Sequence, residues 1–432
     1  MTGGPWALAA LVCWQLAASG GLPREVRLDQ ARPWAAGERQ VRVLIFDGAR
    51  SLSLRSVSPL AVAQVRDLRS AGLRSASIPG GAPISLRVWQ GQVALRAGAL
   101  RATGPILRIA PPSPEGATTI SAQGGWGRRA LYPGALVISP ATGGLRVVEE
   151  TDLETYVAGV VAAELPKDFP PQAMEAQAIA ARTYGLFHLG DHADQGADLC
   201  AQVHCQAYAG SPPEGSPAAE AARQTAGQVL AWNDLLVDAL YHSACGGSTA
   251  AAWQVRQGKL LPYLRGASDY DPSGGEAASY CAQRTRAGWR RSYPFQQAQR
   301  LVASNLGVVL GDPELSPGRL KSLRVAEREG ARVLLLEVMT SSGRYLVRGD
   351  SIRWLFGKGR PGAGGGLPSA VFTLTVERDR SRRARAFVFR GRGNGHGIGL
   401  CQWGARGRAE SGQSAAEILA AYYPGTEIVD LR

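Results

Sequence analysis

Between Thr151 and Leu189 the chain spells two helices back to back, and this stretch constrains the fold more than any other. Thr151-Asp-Leu-Glu154 has the form of a capping box, which predicts a helix opening there, and Pro166 predicts its end. Leu153, Tyr156, Val157, Val160 and Val161 recur at the spacing of one buried helix face. The next position of that stripe is Glu164, so a carboxylate is expected on the apolar side of the last turn. Burial and the negative end of the helix dipole both disfavour its charged form, as a general acid requires. The competing reading is a frayed last turn in which Glu164 turns to solvent or pairs with Arg182. Pro170-Pro171 then opens a second helix, rich in alanine and running to about Leu189, whose small side chains let a neighbour approach closely.

The flanking regions follow the other period. Alternation at Val41, Val43 and Ile45, and again at Ile84, Leu86 and Val88, predicts a small β-rich N-terminal unit over residues 38–115. Its boundary is expected at Pro111, Pro112 and Pro114. Further on, a third helix is expected from Pro217 to Ala226, with hairpin turns at Asn233-Asp234 and Ser342-Gly343 and a flexible loop from Gly359 to Pro368. A last helix opens on a second capping box, Ser414-x-x-Glu417, and stops at Pro424-Gly425. The expected fold class is α+β, a helical core packed on β-rich segments, in a chain of 432 residues that has room for more than one core.

Residues 6–18 form a short apolar run ending in Ala17, Ala18, Ser19 and Gly20. This reads as a signal peptide over residues 1–20 and predicts an exported protein of the periplasm or cell envelope. A retained anchor is the alternative, although the run is shorter than the about 20 residues a span needs. The net charge of +13 rests on arginine, since lysine occurs only at Lys167, Lys259, Lys321 and Lys358. Such a surface suits polyanions, anionic lipid or cell-wall carboxylates. No basic run interleaved with aromatics marks a nucleic-acid face, and no nucleic-acid partner is expected.

Apart from Cys13 in the apolar run, the cysteines are Cys200, Cys205, Cys245, Cys281 and Cys401, an odd set that cannot all pair within the chain. His192, Cys200, His204 and Cys205 have the composition of a tetrahedral structural zinc site. His188 is set aside because it still lies on the alanine-rich helix. A Cys200–Cys205 disulfide or unbonded surface groups are the alternatives. Of the remaining thiols, Cys245 and Cys281 are expected to pair.

The strings Leu153-Glu-Thr-Tyr-Val-Ala-Gly-Val-Val-Ala-Ala-Glu164-Leu-Pro166 and Glu175-Ala-Gln-Ala-Ile-Ala-Ala-Arg182-Thr-Tyr184 resemble the core motif of the SpoIID/LytB family. Tyr241-His-Ser-Ala-Cys-Gly-Gly-Ser-Thr249, Pro262-Tyr-Leu264, Gly395-His-Gly-Ile-Gly-Leu-Cys-Gln-Trp-Gly404 and Tyr422-Tyr-Pro-Gly-Thr426 continue the resemblance in the family's order. It covers residues 140–432, with the core motif over 145–232, and residues 40–140 match only loosely. The resemblance implies a lytic transglycosylase that cuts peptidoglycan glycan strands, preferably those stripped of peptides, and leaves a 1,6-anhydro-muramic end. One carboxyl group, Glu164, would serve as acid and then base, whereas a hydrolase needs a second carboxylate. None is obvious in the matching strings, because Asp168 and Glu175 read as surface charges. The resemblance also marks Arg182, His242 and His396 as substrate contacts and allows a metal near the catalytic helix. Arg182 is alternatively a helix-surface cation, and each histidine alternatively a structural group. The other implied function is non-catalytic: a peptidoglycan-binding enhancer of a cell-wall amidase.

Overall fold

A computed structural model describes residues 24–65, 74–111, 120–123, 129–256, 260–270, 279–281, 288–357 and 365–432. The expected signal segment, the prolines Pro112 and Pro114, and the start of the Gly359–Pro368 loop lie outside the described residues. Helices and strands mix as the α+β class requires, and the chain divides into two compact units. One comprises the described residues of Arg27–Asp238 with Ile428–Arg432, the other those of Ala239–Glu427 with Arg24–Val26.

In the first unit most strands form a seven-stranded and a six-stranded sheet, and Gln228–Trp232, Leu235–Leu236 and Glu427–Asp430 form a third of three strands. The alternation expected at Ile84 and Leu86 is present, both buried around exposed Ser85, while Val88 is half-buried. Leu52 and Leu54 alternate in the same way around exposed Ser53, and Val93 and Leu95 are buried on either side of half-buried Ala94. The boundary expected near Pro111 does not separate two sheets. Val41–Ala49 pairs antiparallel with Gly144–Thr151, and Ile106–Ala110 with Ala135–Ala141, so the early strands and the start of the core motif share one sheet. Val41–Ala49 also departs from simple alternation, because register shifts after Leu44 and Asp47 let Leu44 and Phe46 be buried as well as Val43 and Ile45.

The sheet delivers the chain into the helix Leu153–Glu164. Thr151 is the last ladder residue, opposite Val41, so its backbone is committed to the strand and Asp152 becomes the cap, accepting from the N–H of Thr155 at 2.9 Å. The expected capping box therefore does not form, and Glu154 is left for another partner. The stripe residues Leu153, Tyr156, Val157, Val160 and Val161 are all buried. They face the helices Pro171–Phe187 and Pro217–Gln224. Ala176, Ala178, Ala180 and Ala181 have no exposed surface, which is the close approach that alanine permits. Gly159 goes further: a Cβ there would lie 2.4 Å from the Tyr208 ring and 2.6 Å from the Gly210 carbonyl. The Asn233-Asp234 turn forms with both residues at positive φ, as a type I′ hairpin demands.

The second unit is built on two three-stranded antiparallel sheets and the helix Phe295–Leu310, around a core that includes Leu306, Leu336, Val338, Ile352, Phe387 and Phe389. The Ser342-Gly343 hairpin and the capped helix Ala415–Tyr422 form where expected. A short parallel pair, Tyr241–His242 beside Leu400–Cys401, joins the loop after His242 to the glycine-rich loop around His396. Among the described residues no helix is long and apolar enough to cross a membrane.

Candidate functional site

Glu164 ends its helix half-buried, and its Oε1 accepts the backbone N–H of Ala207 at 2.8 Å. That contact answers the fraying alternative, since the last turn is pinned by a segment 43 residues away in sequence. Asp168, by contrast, is exposed, and Glu175 is half-buried with its pKa raised by desolvation.

The segment that donates to Glu164 is the one that carries the thiols. Leu199–Cys200 runs parallel to Val43–Leu44, held by Asp198 N–H to the Arg42 carbonyl at 2.7 Å and Ala201 N–H to the Leu44 carbonyl at 2.9 Å. Cys200 then packs with Leu44, Val148 and Ala197. A turn closed by Cys205 N–H to the Gln202 carbonyl at 2.9 Å brings the adjacent His204 and Cys205 round to one side. Cys205 Sγ lies 3.3 Å from His192 Nε2, 3.6 Å from His204 Nδ1 and 3.5 Å from Cys200 Sγ, and Cys200 Sγ lies 4.0 Å from His204 Nδ1. Zinc bonds of about 2.3 Å to sulfur and about 2.0 Å to nitrogen, arranged tetrahedrally, set neighbouring ligand atoms about 3.4–3.8 Å apart. The four residues therefore fit one ion, and 3.5 Å between the sulfurs is far beyond a disulfide's about 2.05 Å. The second nitrogen of His192 meets Gln195 Oε1, which fixes the ring. His188 stands apart, its two nitrogens at Asp191 (2.7 Å) and Asp238 (3.0 Å).

Arg182 does not reach Glu164 or the surface. Its side chain is wholly buried and forks onto Glu154, with Nε 2.9 Å from Oε1 and Nη2 2.5 Å from Oε2. The remaining N–H groups donate to the carbonyls of Ala222 and Gln228 and, at 3.5 Å, to Thr225 Oγ1. This corrects both sequence alternatives, the sugar contact and the helix-surface cation: the alanine-rich faces close so tightly that the guanidinium is enclosed and joins the three helices.

His242 and His396 belong to the other unit, where the glycine-rich loop brings their rings to 5.5 Å between centroids. His242 is buried, with Nδ1 on the Ile398 carbonyl at 3.0 Å, and desolvation holds its pKa well below the usual value. Desolvation likewise pushes His396 down to about 4. Both imidazoles are thus neutral at physiological pH.

Sequence reasoning missed Glu149. Its carboxyl is fully buried, accepts from the Tyr208 hydroxyl at 2.7 Å and from Gly134 N–H at 3.3 Å, and is pushed up to about 7 by desolvation, which those two bonds only partly offset. The signal was available, because Leu145, Val147, Glu149 and Thr151 alternate onto one inward face.

A mixed α+β fold with a pinned carboxylate at a helix end and a Cys₂His₂ cluster on the donating loop defines a protein with one candidate acid/base beside a metal-ready site. Residues 141–232 match the family model described as Stage II sporulation protein, SpoIID, so this region is similar to the SpoIID/LytB family. Residues 280–399 match a family described as a domain of unknown function. Stage II sporulation protein D of Bacillus subtilis is 29% identical over 303 residues, 65% of this chain and 75% of that protein. The amidase enhancer of Bacillus subtilis is 28% identical over 293 residues, 62% of this chain but only 40% of that protein. An uncharacterized protein of Brachyspira hyodysenteriae is 27% identical over 312 residues, 69% of this chain and 72% of the relative.

Proposed function

We propose that this protein is a peptidoglycan lytic transglycosylase of the cell envelope, with Glu164 as its single acid and base. The observation that carries the reading is the Glu164 carboxyl, placed at the end of an apolar helix stripe inside the family-matched region and held by the Ala207 N–H. In the first half of the reaction the Glu164 carboxylic acid gives its proton to the glycosidic oxygen as the bond to the muramic C1 breaks. In the second, the carboxylate takes the proton of that sugar's 6-hydroxyl as its oxygen closes on C1, so no water is consumed and the acid is regenerated. Arg182 acts by holding Glu154 and the three helices rather than by touching sugar, and the enclosed His242 supports its loop. His396, on the same glycine-rich loop, is the histidine retained as a glycan contact.

His192, Cys200, His204 and Cys205 hold a structural zinc whose part is to shape the loop that donates to Glu164. Four protein ligands close the coordination sphere, which argues against a zinc-activated water. Peptide-free glycan strands incubated with the purified chain should yield 1,6-anhydro-muramic ends by mass spectrometry. Glycan binding and stimulation of a cell-wall amidase, with no such ends released, would favour the non-catalytic enhancer.

A further inference from the structure

The second unit contains a cluster that neither the proposed reaction nor the histidine pair uses. Cys245, Asp269, Cys281 and Cys401 are each at most 1% exposed, and one ligand atom from each lies within 4.8 Å of all the others. Cys245 Sγ is 3.4 Å from Cys281 Sγ and 3.2 Å from Asp269 Oδ2. The expected Cys245–Cys281 disulfide is therefore corrected, since the sulfurs stand well beyond the about 2.05 Å of a covalent bond. A third sulfur and a carboxylate also share the space, and such a disulfide would use neither.

Four chain segments are tied together to make this arrangement. The parallel pair sets His242 opposite Cys401, Asp269 N–H reaches the Gly247 carbonyl at 3.0 Å, and Tyr280 N–H reaches the Asp269 carbonyl at 2.8 Å. Backbone donors then point at sulfur: Gly247 N–H to Cys245 Sγ at 3.3 Å, with Cys245 N–H and Gly404 N–H to Cys401 Sγ at 3.2 and 3.3 Å. Such donors stabilise sulfur as an anion and orient it, as the surroundings of metal-bound thiolates do. The far oxygen of Asp269 accepts from the Tyr422 hydroxyl at 2.5 Å and lies 3.5 Å from Arg408 Nε, which turns Oδ2 toward the sulfurs. A Cβ on Gly404 would stand 2.1 Å from the Tyr422 oxygen and 2.6 Å from Asp269 Oδ2, so glycine is required there for the pair to form. Burial alone holds Cys245 and Cys401 as neutral thiols; to act together as thiolates beside the Asp269 carboxylate in this dry interior, the sulfurs would need a cation in addition to the one guanidinium nearby. The spacing leaves room for a single ion, because tetrahedral bonds to sulfur and oxygen set neighbouring ligand atoms about 3.5–3.8 Å apart.

We propose that Cys245, Cys281, Cys401 and Asp269 bind one zinc ion as a closed structural site that fastens the loop after His242 to the glycine-rich loop of His396. The test uses the full chain with Cys200→Ser and Cys205→Ser, which removes the cluster beside Glu164. Elemental analysis should still find about one zinc per chain. Replacement of that zinc by cobalt should give thiolate-to-cobalt charge-transfer absorption and the intense visible bands of a tetrahedral site. Asp269→His in the same background should keep the metal and shift the visible bands, a change that a merely misfolded chain would not give. If the double variant does not fold, the wild type carrying about two zinc ions, of which Cys205→Ser releases one, gives the same answer. Absence of metal with Cys245 and Cys281 recovered as a disulfide-linked peptide would overturn the proposal, as would cobalt spectra unmoved by Asp269→His.

Discussion

Replacing Arg182 by alanine distinguishes a helix-joining role from a substrate contact. The guanidinium is fully buried, its partner Glu154 is 30% exposed, and the carbonyls of Ala222 and Gln228 lose their donors with it. Breaking a buried pair by removing one partner costs about 3–5 kcal/mol, and the partial exposure of Glu154 places this case toward about 3. At roughly 2–4 °C per kcal/mol for a unit of this size, the first unit should melt roughly 6–12 °C lower. Calorimetry, with limited proteolysis to assign the transition to the first unit, measures that shift, and a glycan-cleavage assay below the new transition measures function. Cleavage there should persist, because Glu164 is held by Ala207 and not by Arg182. Arg182→Met combined with Glu154→Met should recover part of the loss, since no charge is then stranded. An unchanged melting temperature together with abolished cleavage would refute the reasoning and return Arg182 to the substrate.

Glu164→Gln keeps an oxygen for the Ala207 N–H and should leave melting unchanged, while anhydro-end release falls about 10²–10⁴-fold; wild-type rates in this variant would rule out Glu164 as the acid. Cys205→Ser should release about one metal ion per chain and speed hydrogen exchange at Ala207, measured by mass spectrometry, with unchanged exchange counting against the loop-shaping role. Glu149 has its folded pKa raised from 4.5 to about 7, so between those values the folded state binds more protons than the unfolded chain and stability falls as pH rises. The loss amounts to roughly 3 kcal/mol by the upper end, and Glu149→Gln should flatten the melting profile across that window. Gly159→Ala should destabilise the first unit by about 1–3 kcal/mol in a denaturant titration, because the added methyl meets the Tyr208 ring and the Gly210 carbonyl.

The stripe of the Leu153–Glu164 helix, the alanine-rich helix behind it and the placement of Glu164 at the last turn were all legible in the sequence. Periodicity and proline stops act within a dozen residues, where local sterics decide. The His192, Cys200, His204 and Cys205 set was legible for a similar reason, since its members lie close in the chain and are gathered by the 3-10 turn after His192 and the turn closed between Gln202 and Cys205. Arg182 was not legible: whether a helical arginine meets solvent, substrate or Glu154 depends on which helices close over it. Nor was the capping role of Asp152, because Thr151 was taken by a strand whose partner, Val41, lies 110 positions earlier. The gathering of Cys245, Asp269, Cys281 and Cys401 is the clearest case of tertiary decision. Their separation in the chain gives no periodic signal, and only the parallel pairing of Tyr241–His242 with Leu400–Cys401, together with the backbone ties through Asp269, brings three sulfurs and a carboxylate to one point.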